Sequence, residues 1–195
     1  FMTYNSGDWT ITTTEAGGGD ASEAVTSSAG GALLITNDAA DNDADFFNLK
    51  GEGFKLSSSK KAYFSARFKV SDATQSDFVM GLQITDTTPL AVSDGVFFIK
   101  DDGDTNLDFI VEKDSTSTDT TAIHTMEDDT FVTASFFIDP DRAAVYYSID
   151  NGTPVKVANT NLPDDEELTI SFGIQNGEAA AKTMTIDYVT AMVER

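Results

Sequence analysis

The sequence predicts an all-β protein built as a two-sheet antiparallel β-sandwich. Short segments of alternating apolar and polar residues recur along the chain, and clusters of Asp, Gly, Asn, Ser and Thr separate them. No window of about twelve residues carries apolar side chains at helical spacing. About thirteen short strands with no helices between them favour two stacked antiparallel sheets.

Residues 62–70 form the clearest predicted strand, because Phe64, Phe68 and Val70 fall on one face at period two. Residues 184–193 fit less clearly, since Val189 opposes the face that carries Met184. The predicted strands span residues 9–14, 32–36, 46–49, 62–70, 78–85, 96–100, 107–112, 122–125, 131–138, 143–149, 155–157, 168–175 and 184–193. Predicted core residues include Phe64, Ala66, Phe68, Phe136, Ile138, Ile170, Phe172 and Ile174.

Turn residues mark the connections between these strands. Asp150-Asn151-Gly152 supplies the positive φ of a tight hairpin, and residues 101–104 predict another. Residues 15–31 are rich in Gly, Ala, Ser and Thr and predict a flexible loop, while residues 176–182 could form one helical turn. We therefore expect a single domain over residues 1–195, with a short N-terminal arm over residues 1–8.

The charge balance excludes several partners. The chain has 12 Lys and Arg against 33 Asp and Glu, a formal net charge of −21. Because such a surface repels phosphate groups, we expect neither nucleic acid nor a membrane as partner. The absence of cysteine excludes disulfides, thiolate metal sites and cysteine nucleophiles. The chain opens with Phe1-Met2 and has no signal-peptide pattern, so we expect that an upstream segment was removed.

A series of short motifs resembles the concanavalin A-like (laminin-G-like) jelly-roll superfamily. The motifs, in chain order, are Arg67-Phe68-Lys69-Val70, Gly81-Leu82, Asp94-Gly95-Val96-Phe97-Phe98, Tyr146-Tyr147-Ser148-Ile149-Asp150-Asn151-Gly152 and Ile186-Asp187-Tyr188-Val189. The resemblance covers roughly residues 32–193, and within the superfamily the chain looks most like acidic virion proteins of tailed phages. It implies a two-sheet jelly roll, a fold that hosts lectins, glycoside hydrolases, adhesion modules and virion proteins.

The resemblance implies a capsid decoration or cement protein that binds the major capsid protein of a tailed phage. We then expect a homo-oligomer, with a trimer favoured, at the capsid surface of the virion. The alternative is a carbohydrate-binding, lectin-like module that calcium assists. A glycan is therefore the second partner class to consider.

The sequence gives no support for a catalytic pair, so we expect no enzymatic activity. Jelly-roll hydrolases carry Glu-x-Asp-x-x-Glu on one strand, and here the nearest match is Glu112-Lys113-Asp114 with Ser117 in place of the second Glu. Two facing carboxylates are what glycoside hydrolysis requires. His124 is the only histidine, and no serine motif supports a nucleophilic triad.

Acidic runs are the candidates for a metal site. Asp41, Asp43 and Asp45 stand at positions one, three and five of an EF-hand-like spacing, with Glu52 at position twelve. Position six is Phe46, where the calcium loop needs Gly. A second acidic run comprises Asp101, Asp102, Asp104 and Asn106. We therefore expect no cofactor and no metal, and treat these acids as turn residues.

Exposed aromatic residues would favour sugar binding, but few can be identified. Trp9 lies in the first predicted strand and fits a core position. Tyr146 and Tyr147 are adjacent on one strand, so their side chains point to opposite faces and one of them is exposed.

Two features suggest docking onto a partner. Six basic residues, half of the total, fall within twenty positions, namely Lys50, Lys55, Lys60, Lys61, Arg67 and Lys69. This local patch could orient an acidic partner, or it could neutralise acidic loops of its own fold. The N-terminal arm carries Phe1, Met2 and Tyr4 outside any predicted strand, so they would dock onto a neighbour or form an extra edge strand.

Overall fold

The computed structural model describes residues 3–57 and 59–195, and this part of the chain folds as a sandwich of two antiparallel sheets. No helix within these residues is both long and apolar enough to cross a membrane. The strands are β1 (Trp9–Thr14), β2 (Ser22–Val25), β3 (Leu33–Thr36), β4 (Ala44–Leu49), β5 (Phe54–Lys55), β6 (Ala62–Val70), β7 (Ser76–Gln83), β8 (Gly95–Lys100), β9 (Asn106–Lys113), β10 (Thr116–Thr125), β11 (Val132–Asp139), β12 (Ala144–Ile149), β13 (Val155–Ala158), β14 (Glu167–Asn176) and β15 (Thr183–Val193).

The eight-stranded sheet has the order β1-β4-β14-β7-β8-β9-β10, with β5 paired to β14. The seven-stranded sheet has the order β13-β12-β11-β6-β15-β3-β2. Sequence neighbours such as β7, β8 and β9 pair as hairpins, whereas β14 and β15 return from the far end of the chain to the middle of each sheet. The prediction of an all-β, two-sheet antiparallel sandwich is confirmed.

Cross-strand phenylalanine pairs build the core between the sheets. Phe64 on β6 lies directly opposite Phe136 on β11, and their rings stack with centroids 5.1 Å apart. Phe47 on β4 pairs in the same way with Phe172 on β14, also at 5.1 Å. Each pair removes large apolar surface from water and aligns its two strands.

A β-bulge in β15 explains why the last strand was difficult to predict. Ile186 pairs with Phe68 and Tyr188 with Arg67, so one extra residue is inserted between these two pairs. The bulge reverses which face each residue occupies, because side chains alternate along a strand. Met184 and Ile186 therefore point into the core before the bulge, whereas Met192 beyond it is 56% exposed.

The structure differs from the sequence prediction in three further places. Residues 22–25, expected within the flexible loop, form β2 and pair with β3, although this short edge strand has little apolar alternation. Residues 176–182 form bends and no helix. Ile170 is only partly buried at the margin of the core, while the other predicted core residues are buried.

Truncation of Phe172 to Ala tests the core. The side chain is fully buried and contacts the rings of Trp9 and Phe47, so its loss leaves a cavity between the sheets. We expect the free energy of unfolding to fall by about 3–5 kcal/mol, measured by urea denaturation. The matched control is Tyr188→Ala on the outer surface, and equal losses in both variants would contradict the assigned role of Phe172.

Candidate functional site

The outer face of the eight-stranded sheet carries a second apolar cluster that does not belong to the core. Phe46, Val79, Phe97 and Ile110 are buried there, although they point away from the other sheet. The segment that covers them is the connection between β7 and β8, residues 84–94, which we call the strap. Leu90 and Val92 of the strap pack onto this cluster.

Glycines on two strands let the ring of Phe97 lie close to the sheet. A Cβ atom at Gly81 would come within 2.5 Å of the Phe97 backbone, and one at Gly95 within 2.8 Å of its ring. Gly81 is the cross-strand partner of Phe97. Residues with side chains at these two positions would therefore push the ring outward and disturb the outer face.

Hydrogen bonds hold the strap at its middle and at its last residue. The Gln83 side-chain amide donates to the Pro89 carbonyl at 2.9 Å, and Pro89 opens a single 3-10 turn in the middle of the strap. At the last residue of the strap, the Asp94 carboxylate accepts from the Asp114 backbone N–H at 3.0 Å. The strap is thus tied both to β7 and to the β9–β10 hairpin.

A groove of about 280 Å³ lies between the strap and the edge strand β10. We call it the strap groove. Phe97, Ile99 and Ile110 lie at its base and Leu90 lies beside it. Phe97 and Ile110 are buried, so Ile99 and Leu90 supply the apolar surface that stays partly exposed. The remaining lining residues are polar or acidic, namely Asp101, Asp108, Glu112, Ser117, Asp119 and Thr121.

The strand register places two carboxylates close together in this groove. Glu112 on β9 is paired with Ser117 on β10, and Asp119 lies two residues further along β10. Such diagonal neighbours have Cα atoms about 7–8 Å apart. The side-chain carboxylates of Glu112 and Asp119 have no hydrogen bond or ion pair to another of the described residues, so both are available to a ligand.

The groove raises the pKa of two of its acids. The pKa of Glu112 is raised mainly by burial and further by the nearby charges of Asp119 and Asp94. Burial is also the largest cause of the raised pKa of Asp108. Asp108 has a structural task as well, because it accepts a hydrogen bond from the backbone N–H of Ala122, which has a φ of +54° in the β10 bulge.

A larger hollow, of about 360 Å³, lies at one end of the sandwich beside Lys113, Leu162 and Asp164. The basic side chain in this hollow already has partners, since Lys113 forms ion pairs with Asp164 and Asp165 at 2.6 and 2.9 Å. We therefore regard the strap groove as the candidate site.

The acids predicted as metal candidates do not converge. Asp43 is buried and accepts from the backbone N–H groups of Ala16 and Ala40, at 2.6 and 3.0 Å, so it organises the neighbouring loops. Asp41 is exposed, and Asp45 points into the sandwich from β4. Within residues 3–57 and 59–195, no three acidic or histidine side chains are arranged to hold a metal ion.

Asp45 belongs to a buried acidic cluster near one edge of the sandwich. It accepts from the Thr13 hydroxyl at 2.6 Å, while its other oxygen has no partner among the described residues. Burial, together with the carboxyls of Glu23 and Glu15, raises the pKa of Asp45 to about 7. Burial and the same acidic surroundings raise the pKa of Tyr4 to about 12. A proton on Asp45 thus relieves the repulsion within this cluster.

The predicted basic patch is largely paired within its own chain. Four of its six residues form ion pairs: Lys55 with Glu167, Lys61 with Asp141, Arg67 with Asp187 and Lys69 with Asp129. Lys50 donates to the Gly7 carbonyl at 2.9 Å, and Lys60 is exposed. These contacts favour neutralisation of the fold's own acids, and docking by this patch stays a prediction.

The predicted N-terminal docking residues are only partly within the described region. Phe1 and Met2 lie outside the described residues. Tyr4 packs edge-on against Phe47 of its own core, with centroids 6.4 Å apart.

Trp9 is partly buried and packs against Phe172 at 4.9 Å, as its strand position predicted. Tyr147 is buried and Tyr146 is partly exposed, so Tyr146 is the outward member of that pair.

Sequence reasoning missed most of the strap groove. It examined Glu112 but placed it at a strand end, and it did not single out Asp108 or Asp119. The alternation of Asp108, Ile110 and Glu112 does indicate one shared face of β9. No local pattern could indicate that Asp119 joins them, because that depends on the β9–β10 register.

Comparisons place the chain among jelly-roll proteins. No protein-family model and no curated protein matches the sequence. The Emp46p carbohydrate recognition domain, in its potassium-bound form, is similar with a TM-score of 0.66 at 11% identity, covering 97% of this chain and 92% of its own. A glycoside hydrolase family 16 endo-glucanase from Bacteroides ovatus gives 0.66 at 15% identity over 97% of both chains. Alginate lyase AlyC3 gives 0.58 at 9% identity, covering 85% of this chain and 76% of its own.

These likenesses establish the fold as a concanavalin A-like jelly roll, as the sequence predicted. They lend no support to the narrower resemblance to tailed-phage virion proteins. The expectation that the chain is not an enzyme was wrong, because glycoside hydrolases and alginate lyases share this fold over most of the chain. The missing Glu-x-Asp-x-x-Glu pattern therefore does not exclude catalysis.

The buried acid Asp45 predicts a pH-dependent stability. Its pKa is about 7 in the folded protein and near 3.8 when unfolded, so the native state binds more protons between these values. The contribution of Asp45 is therefore complete below the lower value and is lost as the pH rises through about 7. We expect urea midpoints to fall between pH 5 and pH 8 in the wild type.

Asp45→Asn isolates this effect, since the variant keeps every other charge of the chain. The fall in midpoint over the same pH range should be much smaller in the variant. Parallel pH profiles for the two proteins would rule out Asp45 as the titrating group.

Proposed function

We propose that this protein binds an uncharged oligosaccharide in the strap groove. The observation that carries the proposal is a pair of carboxylates without side-chain partners, Glu112 and Asp119, beside the partly exposed apolar side chains of Leu90 and Ile99. Apolar surface can pack against the C–H faces of a sugar ring, and carboxylates accept hydrogen bonds from its hydroxyl groups. Carbohydrate recognition by Emp46p, which has this fold, supports the assignment.

The negative charge of the strap groove favours neutral glycans over anionic ones. Four acids line it and no Lys or Arg does. The whole chain carries a net charge of −21, so its long-range field also repels anions. A polyuronate such as alginate would therefore be excluded, and a neutral glycan fits better.

Isosteric removal of the two carboxylates tests glycan binding. The variant Glu112→Gln/Asp119→Asn keeps the shape of the groove but weakens its charged acceptors. Because hydrogen bonds to charged groups contribute about 1.5–3 kcal/mol, we expect binding of soluble mixed-linkage β-glucan to weaken roughly tenfold or more. Affinity gel electrophoresis and calorimetry measure the change.

The control is Asp20→Asn/Glu166→Gln, which changes the net charge equally at two exposed sites away from the groove. Equal binding by the wild type and both variants would contradict the strap groove as the site.

Cleavage of the glycan is a second candidate function, favoured by the unequal environments of the two carboxylates. The pKa of Glu112 is raised mainly by burial, which suits a general acid that protonates the leaving oxygen. Asp119 is exposed across the same groove, where a carboxylate could activate water or attack the sugar. The endo-glucanase fold neighbours support this candidate.

Release of reducing ends from mixed-linkage β-glucan tests cleavage. Glu112→Gln should abolish release while retaining the fold, and Asp20→Asn/Glu166→Gln should cleave like the wild type. Binding by the wild type with no release of reducing ends would leave the protein as a lectin-like module.

The capsid-decoration role stays a prediction from sequence resemblance. It requires a major capsid protein as partner, an oligomer such as a trimer, and a place on the virion surface. Co-purification with phage particles, compared between the wild type and a variant lacking residues 1–8, tests it directly.

A further inference from the structure

The outer face of the seven-stranded sheet carries a row of large apolar side chains. Met192 on β15 pairs with Tyr63 on β6, Tyr63 with Phe137 on β11, and Phe137 with Tyr146 on β12. All four point away from the core, because their strand neighbours such as Phe64 and Phe136 point into it. We call these four residues the aromatic row.

The aromatic row is straight and accessible. It crosses four adjacent strands, which spaces its ends about 14 Å apart. Met192 is 56% exposed, the three rings are partly exposed, and a shallow hollow of about 220 Å³ lies over Tyr63, Phe137 and Met192. An exposed apolar group of this size needs an explanation, since single exposed residues are common but aligned ones are not.

Hydroxyl groups run beside the aromatic row. The next set of outward positions is Thr190, Ser65, Ser135 and Ser148, which pair in the same strand order. Of these, Ser65 is buried beside the Tyr188 hydroxyl, and the other three are at least partly exposed. The surface therefore alternates an apolar row with a neutral polar row. The four side chains of the aromatic row carry no formal charge, in a chain whose net charge is −21.

We propose that the aromatic row is a second binding platform, which takes an extended uncharged glycan across the outer face of the seven-stranded sheet. The C–H faces of pyranose rings are apolar and weakly positive, and they complement the negative faces of aromatic rings. Sugar hydroxyls that project sideways meet the hydroxyls of Thr190, Ser135 and Ser148. The platform lies on the sheet opposite the strap groove and does not depend on the function proposed there.

A second copy of the chain is a poorer occupant. Two molecules of charge −21 repel each other, and four side chains cover far less than the roughly 800 Å² that each partner buries in a stable interface. An anionic glycan is excluded by the same field.

Threonine substitutions test the platform, because Thr favours strands and removes the ring. The variants are Tyr63→Thr/Tyr146→Thr and Phe137→Thr, and the control is Val25→Thr, an exposed apolar residue on the edge strand β2 of the same sheet, outside the row. Affinity gel electrophoresis uses barley mixed-linkage β-glucan and hydroxyethyl cellulose as probes, with alginate as the charged comparison. Melting temperatures report whether each variant is folded.

We expect the row variants to bind these neutral polymers roughly tenfold more weakly, with Val25→Thr unchanged and alginate not bound. Wild-type-like binding by folded row variants would overturn the proposal. So would a concentration-dependent dimer in sedimentation that the row variants abolish without any change in glycan binding.

The groove variant Glu112→Gln/Asp119→Asn separates this platform from the strap groove. Residual binding in that variant, lost on addition of the row substitutions, supports the platform. If the groove variant alone abolishes binding and the row variants do not affect it, the platform is refuted while the groove function stands. If the row variants alone abolish binding, the platform stands and the groove function fails.

Discussion

The register of the phenylalanine pairs is the constraint on which the rest of this structure depends. Phe64 opposite Phe136 and Phe47 opposite Phe172 fix the alignment of the central strands in both sheets. Because side chains alternate along a strand, a slip of one residue would exchange the core face with the outer face. The outward positions of Phe97, Glu112 and Tyr63 thus follow from the same pairing that fills the core.

The fold accommodates its many acidic residues because a large share of the carboxylates form hydrogen bonds or ion pairs within the chain. Lys182 is buried and donates to Asp72 and Glu178 at 2.7 and 2.6 Å. Burial alone lowers the pKa of Lys182, but these two carboxylates more than offset it and raise the pKa. The Asp72 carboxylate also accepts backbone N–H groups of its own turn, at Thr74 and Gln75. The acids of the strap groove differ, since the carboxylates of Glu112 and Asp119 have no such partner among the described residues.

Features that depend on residues close together in the sequence could be predicted from it, whereas features that depend on pairing between distant strands could not. The period-two pattern of residues 62–70 predicted β6 with its correct bounds, because burial on one face leaves a local signal. It could not predict β2, an edge strand held by pairing with β3 rather than by apolar alternation. Non-local pairing also creates the site, since Asp119 reaches Glu112 only through the β9–β10 register.

The aromatic row illustrates the same limit, because its four members are spread over residues 63–192 and only the sheet brings them into line. Of these, sequence reasoning considered Tyr146 alone, as one of an adjacent pair with opposite orientations. The bulge in β15 determines that Met192 points outward. The alternation of apolar and polar residues in the sequence does not reveal where a bulge occurs. A surface assembled in this way becomes visible only after every strand has been aligned.

The strap shapes what the outer face of the eight-stranded sheet can accept. The rings of Phe46 and Phe97 lie close to Gly173 and Gly95, and the middle of this face is therefore apolar and has to be covered. The strap supplies that cover, and in doing so it separates the strap groove from a second hollow of about 290 Å³ beside Thr14, Phe46 and Gln175. A long glycan therefore cannot lie flat across the whole face without displacing Leu90 of the strap. Among the described residues, the aromatic row on the seven-stranded sheet is at least partly exposed at all four positions, so the two proposed binding surfaces differ in the length of glycan that they would accept.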